Sequence, residues 1–223
     1  MPADRRAAIS MSLGVAAAVA LYGISFGALA VASGLDVWQA QVLSLFMFSG
    51  GSQFALIGLI AAGAPGITSV LVAGLLGVRN GLYSLRTAPL VGKGFFRRLI
   101  AGQLTIDEST AVALAQPTPA SSRIGFWVTG IGIYIGWNAM TFLGAILGDA
   151  LGDVSAFGLD AAAAAAFVGL LWPRLTAREP VVVAVIAAVV TAVAIPFAPT
   201  GVPVLLAALA AFAFAVVKER TAK

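Results

Sequence analysis

Long apolar runs, interrupted by short clusters of Gly, Pro and charge, divide the chain into eight candidate helical segments: 7–32, 37–62, 67–85, 99–116, 125–147, 156–172, 181–197 and 202–217. Pro65, Pro89, Pro117, Pro119, Pro173, Pro180, Pro199 and Pro203 fall at the breaks. Such positions suit a residue that lacks an N–H and cannot continue a helix without losing a hydrogen bond. The pattern predicts an all-α fold built from membrane-length helices.

Composition turns that pattern into a membrane protein. Of 223 residues, 61% are hydrophobic and only 10% charged, with a mean hydropathy of +1.03. A soluble domain of this size needs more charged surface than that, and one core could not bury so many apolar runs. The expected architecture is a polytopic helical bundle forming a single transmembrane domain over 1–223, with no room for a soluble domain. The opening Asp4-Arg5-Arg6 followed by an apolar run has the layout of a signal peptide. That run continues through Ile24, Phe26 and Leu29 to Val31, past the length of a signal core, and reads as a retained first span.

The net charge is +4, and the basic residues sit at segment ends rather than in a broad patch, which argues for membrane topology and against nucleic acid. With no cysteine and no histidine, disulfides, thiolate chemistry, thiolate and imidazole metal sites and the usual proton shuttle are all excluded. No metal site and no cofactor are expected.

Charge also tests the segment count. Arg5 and Arg6, the loop with Arg86, Lys93, Arg97 and Arg98, then Arg123, the Arg174/Arg178 loop and the Lys218/Arg220/Lys223 tail all suit the cytoplasmic side. Asp149 and Asp153 suit the outside. If all eight segments crossed, the Arg86–Arg98 loop would lie outside. Letting 37–62 and 99–116 be broken or re-entrant, each returning to the side it entered from, leaves six crossings and puts both termini and every basic loop inside.

Those two segments carry the most unusual polar residues. Gly50-Gly51-Ser52-Gln53 lies in one, and Asp107-Glu108 in the other. An ionised carboxylate at the centre of a membrane helix costs about 2.5–3.5 kcal/mol on insertion scales, so the acidic pair needs partners or water. Paired glycines let a helix unwind, exposing backbone N–H groups beside Ser52 and Gln53 to a substrate carboxylate. The competing reading of these glycines is close helix packing, which is the preferred account of Gly23/Gly27, Gly132/Gly136 and Gly144/Gly148. Arg79, Asn80 and Tyr83 share a helix face; Arg79 is placed to pair with Asp107 or Glu108, whereas Arg86 suits snorkelling to the interface. Tyr134, Asn138 and Thr141 share another face, read first as helix–helix glue.

Gly23-Ile24-Ser25-Phe26-Gly27 fits the Gly-x-Ser-x-Gly hydrolase pattern. A serine nucleophile needs a base; the chain has no histidine, and its lysines lie in the basic loop and the tail, so the enzyme reading fails.

The chain resembles the AzlC-type branched-chain amino acid permeases, the large subunit of branched-chain amino acid exporters. The residues that carry the resemblance are Phe26-Gly27, Ser49-Gly50-Gly51-Ser52-Gln53-Phe54 with Ala61-Ala62-Gly63, Val78-Arg79 through Leu82-Tyr83, and Leu104-Thr105 with Asp107-Glu108. Two positions depart from the family pattern. Asn80 stands where a histidine usually follows the arginine, so no proton-transfer role carries over to it, and Ile106 separates Thr105 from the acidic pair.

The resemblance implies a multi-pass protein of the inner (plasma) membrane that exports Leu, Ile, Val and Met with a small hydrophobic AzlD-type partner subunit. A zwitterion has no net charge, so membrane potential drives it only through a coupled ion, with the proton the natural candidate. The expected site joins substrate-binding Gly50, Gly51, Ser52, Gln53, Asn80 and Tyr83 to a coupling or ion-pair group of Arg79, Asp107 and Glu108. No nucleotide-binding motif is present, which favours a secondary transporter. A non-transporting scaffold subunit and a channel are the competing classes.

Overall fold

A computed structural model describes residues 2–152, 168–169, 171–172 and 175–221. Among the described residues it has nine helices and no strand. They are α1 (Ala3–Ala32), α2 (Val37–Phe46), α3 (Gly50–Ala61), α4 (Gly66–Val91), α5 (Phe95–Leu104), α6 (Asp107–Leu114), α7 (Pro119–Leu151), α8 (Arg178–Ala194) and α9 (Val202–Thr221). In hydrocarbon every backbone group must find its partner within the protein, and helices do so internally. The protein is an all-α membrane bundle: α1, α4, α7 and α9 are long and apolar enough to cross, and α8 has 17 residues, close to the shortest span. The sixth expected segment, 156–172, lies outside the described residues apart from four positions, as do Asp153, Pro173, Arg174 and Lys223.

Helices α1 and α7 form the central pair, and they run parallel. Thr118 donates to Asp4 (3.0 Å) and Ser12 to the Gly125 carbonyl (3.5 Å); further along, Ala16 meets Gly132, Ala20 meets Gly136, Ile24 meets Gly144 and Ala28 meets Gly148. A Cβ on Gly23 would come within 2.7 Å of the Trp137 carbonyl oxygen, and one on Gly27 or Gly144 would collide with the facing backbone. The small residues expected to pack do so.

Both suspect segments are broken. Segment 37–62 divides at Met47–Ser49 into α2 and α3, and segment 99–116 divides at Thr105–Ile106 into α5 and α6. Contacts along α7 serve as a depth gauge. Helix α2 starts with Trp38 against Phe142 and ends with the Leu45 carbonyl bound by Tyr134, so it descends from the Leu151 end to mid-depth. Helix α3 leaves mid-depth, where Gly51 faces Arg79, and returns with Leu59 close to Thr68 near the start of α4. Helix α5 enters from the opposite end, with Arg97 over Trp127, and reaches Gly130 at Leu104. Helix α6 goes back, with Val112 against Gly125 and Gln116 beside Met11. Each broken element is therefore re-entrant, and the two meet from opposite sides.

Helix α4 runs against α1, from Thr68 to Val91, which clusters with Ala113 and Phe126. The units α1–α2–α3 and α4–α5–α6 thus repeat one plan in opposite directions: a long helix, then two short ones meeting at mid-depth. Arg5, Arg6, Arg86, Lys93, Arg97, Arg98 and Arg123 gather at one end of the bundle, and Asp149 lies towards the other. Helices α8 and α9 form an antiparallel hairpin closed by a Glu179–Lys218 ion pair, which puts Lys218 beside the Arg178 end of α8. Their turn uses Gly201 (φ +88°), which packs on Thr68 where a Cβ would lie 2.6 Å from the threonine methyl.

Among the described residues, the prolines obey the expected rule with one exception. Pro119 begins α7, Pro180 and Pro203 sit in first turns, and Pro65 precedes α4. Pro89 does not end the third segment but lies inside α4, which continues to Val91. It occupies the final turn, where the carbonyl it leaves unbonded belongs to Leu85, an exposed residue at the basic end.

Candidate functional site

The two breaks enclose a cavity of about 450 Å³ at mid-depth, bounded by α1, α3, α4, α6 and α7. Its walls are largely apolar: Val19 from α1, Phe48 in the first break and Phe54 in α3, Ile106 at the second break, and Ile133 and Trp137 from α7. Phe26 packs on the wall residues Phe54 and Trp137 in an aromatic cluster, with ring centroids 5.7–6.4 Å apart.

Two helix N-termini point their chemistry into this space. Helix α3 begins at Gly50 with no side-chain cap, because the Ser49 hydroxyl is bonded to Ser52 instead (3.1 Å). Its first-turn N–H groups give that end a partial positive charge. Gly51 allows a close approach: a Cβ there would lie 3.0 Å from an Arg79 guanidinium nitrogen. Helix α6 begins with Asp107 and Glu108 in its first turn, where a helix N-terminus favours acids. Their backbone turn is fixed by Ser109, whose hydroxyl accepts the Ile106 N–H (3.1 Å) and donates to the Leu104 carbonyl (2.7 Å).

Arg79 joins the two ends. Its guanidinium bonds Asp107 at 2.7 Å, with the two side chains 27% and 20% exposed. Among the described residues, the charged groups lining the cavity are Arg79, Asp107 and Glu108. On a continuous helix Asp107 and Glu108 would diverge by about 100°. The break at Ile106 lets both line one cavity.

Of the residues expected from the sequence, the cavity gathers Gly50, Gly51, Arg79, Asn80, Asp107 and Glu108. Ser52 instead lines an adjoining cavity of about 290 Å³, shared with Ser49, Asn80 and Gln103. Gln53 is fully buried and lines neither space, and among the described residues it has no hydrogen-bond partner on either side-chain polar atom. Tyr83 also lines neither; its carbonyl accepts from Thr87 one turn on. The Tyr134–Asn138–Thr141 face joins helices as expected: the Tyr134 hydroxyl donates to the Leu45 carbonyl (3.2 Å), Gln41 to Asn138 (3.4 Å) and Ser44 to Thr141 (3.3 Å).

The sequence reading missed Val19, Tyr22 and Ser25 of α1 and Trp137 of α7, all of which line the cavity. Val19, Tyr22 and Ser25 follow a three-residue spacing, a signal that in an apolar helix is indistinguishable from packing. Gln103 was missed as well. Its side-chain amide donates to the Leu45 carbonyl (2.9 Å) and lies 3.4 Å from that of Phe46, linking the two breaks directly.

Residues 14–151 match the family model described as AzlC protein, a span that runs from within α1 to the end of α7 and contains both re-entrant elements and the cavity. No curated protein and no solved structure matches the chain.

Proposed function

The chain belongs to the AzlC family of membrane transport proteins, and from that footing we propose that it is a secondary transporter exporting branched-chain amino acids. The observation that carries this reading is the meeting of two helix N-termini at one apolar cavity, where the Arg79–Asp107 pair joins them. An uncapped glycine helix end with Arg79 attracts a carboxylate, and the Asp107/Glu108 end attracts an ammonium group or a proton. A zwitterion with an aliphatic side chain complements all three features at once.

In this mechanism the Gly50 and Gly51 N–H groups and Arg79 bind the substrate carboxylate, and Phe48, Phe54, Ile133 and Trp137 contact the side chain. Each methylene buried there is worth about 0.8 kcal/mol, so discrimination among Leu, Ile, Val and Met is modest. Two adjacent carboxylates at the cavity offer a proton or a substrate ammonium group a favourable place, since a cation at membrane depth needs an anionic partner. Export is proton-coupled on this account. Oppositely directed units meeting at the site suit alternating access by rocking one against the other.

The shared basic end of the bundle supports a cytoplasmic location for both termini in the inner (plasma) membrane. A small hydrophobic AzlD-type subunit is the proposed partner within the bilayer. The test is efflux of preloaded leucine, isoleucine and valine from cells expressing the chain with that subunit, against an Asp107→Asn/Glu108→Gln variant at equal membrane abundance. Efflux lost in the variant supports the proposal; equal efflux from both refutes the acidic coupling site, and none from the wild type refutes the substrate class.

A further inference from the structure

Helix α2 stops at Phe46 in the middle of the bundle, where its last carbonyls have no following turn to bond. A stranded carbonyl at that depth is costly unless a protein group or cavity water satisfies it. Met47 N–H bonds Leu43, but Leu45 receives side chains from two other elements: the Gln103 amide from the last turn of α5 (2.9 Å) and the Tyr134 hydroxyl from α7 (3.2 Å). The Phe48 ring adds an edge-on contact to the Tyr134 ring, with centroids 5.0 Å apart.

The placement of Gln103 gives these bonds a consequence beyond capping. Three residues, Met47 to Ser49, separate α2 from Gly50, and the Ser49 N–H folds back on the Met47 carbonyl (2.8 Å), so the link is short and internally bonded. On its other side Gln103 precedes Asp107 by four residues, across the Thr105–Ile106 break. One amide therefore ties the element that carries the carboxylate-seeking end, Gly50 and Gly51, to the element that carries the acids.

We propose that Gln103, assisted by Tyr134, is a positioning residue that sets the separation of the two poles of the substrate site by holding the end of α2 against the end of α5. The assignment rests on the transport reading for its kinetic consequence, while the latch itself is a structural property measurable without transport. The group that matters is the amide N–H, because it faces a carbonyl; a residue of equal size without a donor leaves that carbonyl short of a partner.

The experiment uses the full chain with its partner subunit in proteoliposomes, comparing Gln103→Met, Gln103→Glu and Tyr134→Phe with wild type for leucine transport and for amide hydrogen exchange at residues 47–51. Gln103→Met is expected to raise KM about tenfold with a smaller change in kcat, and to speed exchange at residues 47–51. Gln103→Glu matches Gln103→Met at neutral pH and recovers towards wild type, measured at the same pH, as acid protonates the new carboxyl and restores a donor. Tyr134→Phe, the milder change, shifts both readouts in the same direction by less and serves if the Gln103 variants fail to assemble. Wild-type KM and wild-type exchange in Gln103→Met, or in Tyr134→Phe where only that variant assembles, would overturn the proposal. If the wild type moves no aliphatic amino acid, the transport reading fails, and the exchange at residues 47–51 still decides the latch.

Discussion

Breaking the Arg79–Asp107 pair is the sharpest physical test of the site. Two unit charges 4 Å apart attract by about 4 kcal/mol at an effective dielectric constant near 20, and removing one partner of a buried pair typically costs about 3–5 kcal/mol. Here the side chains are 27% and 20% exposed, so neither is fully desolvated, and the expected loss for Asp107→Asn or Arg79→Gln alone is about 2–3 kcal/mol. The double variant leaves neither member of the pair without the other and should lose less than the two single losses combined, with a coupling energy of about 1–2 kcal/mol. Reversing the pair, Arg79→Asp with Asp107→Arg, should recover only part of the loss. It puts a cation at the start of α6, where the helix dipole opposes it by about 0.3–1 kcal/mol. The assay is reversible unfolding in mixed micelles followed by tryptophan fluorescence, with Trp137 at the cavity as reporter. Additive single losses, or a swap as stable as the wild type, would refute the argued geometry and its helix-end electrostatics.

Three further outcomes follow from the packing. Because the chain has no cysteine, single cysteines at Lys93 and Asp149 can be labelled without background, and an impermeant maleimide should reach them from opposite sides of the membrane; labelling from one side would break the re-entrant topology. Gly27→Leu should abolish accumulation of folded protein, since its side chain would meet the Thr141 and Ala145 backbone, whereas Gly58→Leu, with open space at that position, should be tolerated; membrane abundance and protease resistance compare them. Asp36→Ala should cost about 1 kcal/mol, because Asp36 accepts the Gln39 N–H (2.8 Å) and Gln39 returns the bond in a capping box at the start of α2; thermal unfolding of the purified protein measures it.

Much of the fold was legible in one dimension because lipid imposes a simple rule. Apolar length marks spans, proline and glycine mark breaks, and basic residues mark a side, so the segments, their polarity and the interruption of 37–62 and 99–116 follow from hydropathy and charge. Helix ends were less legible: α4 runs on through Pro89, because near a solvated end a missing hydrogen bond is cheaply tolerated.

The site divides along the same line. Glycine pairs and intramembrane charges announce themselves, since each is unfavourable in hydrocarbon without a compensating partner, and Gly50, Gly51, Arg79, Asp107 and Glu108, which the structure places at one cavity, were singled out that way. Val19 and Ile133 carry no such mark, because an apolar residue facing a cavity reads the same as one facing lipid or a neighbouring helix. Nor does composition separate Gln53, sealed in packing, from Asn80 at the cavity. Hydropathy thus determined which residues are too costly to lie in the membrane without a purpose. Only the tertiary structure decided which of them meet, because the parallel docking of α1 on α7 and the convergence of two oppositely directed units depend on contacts between residues up to 120 positions apart, which local sequence does not encode.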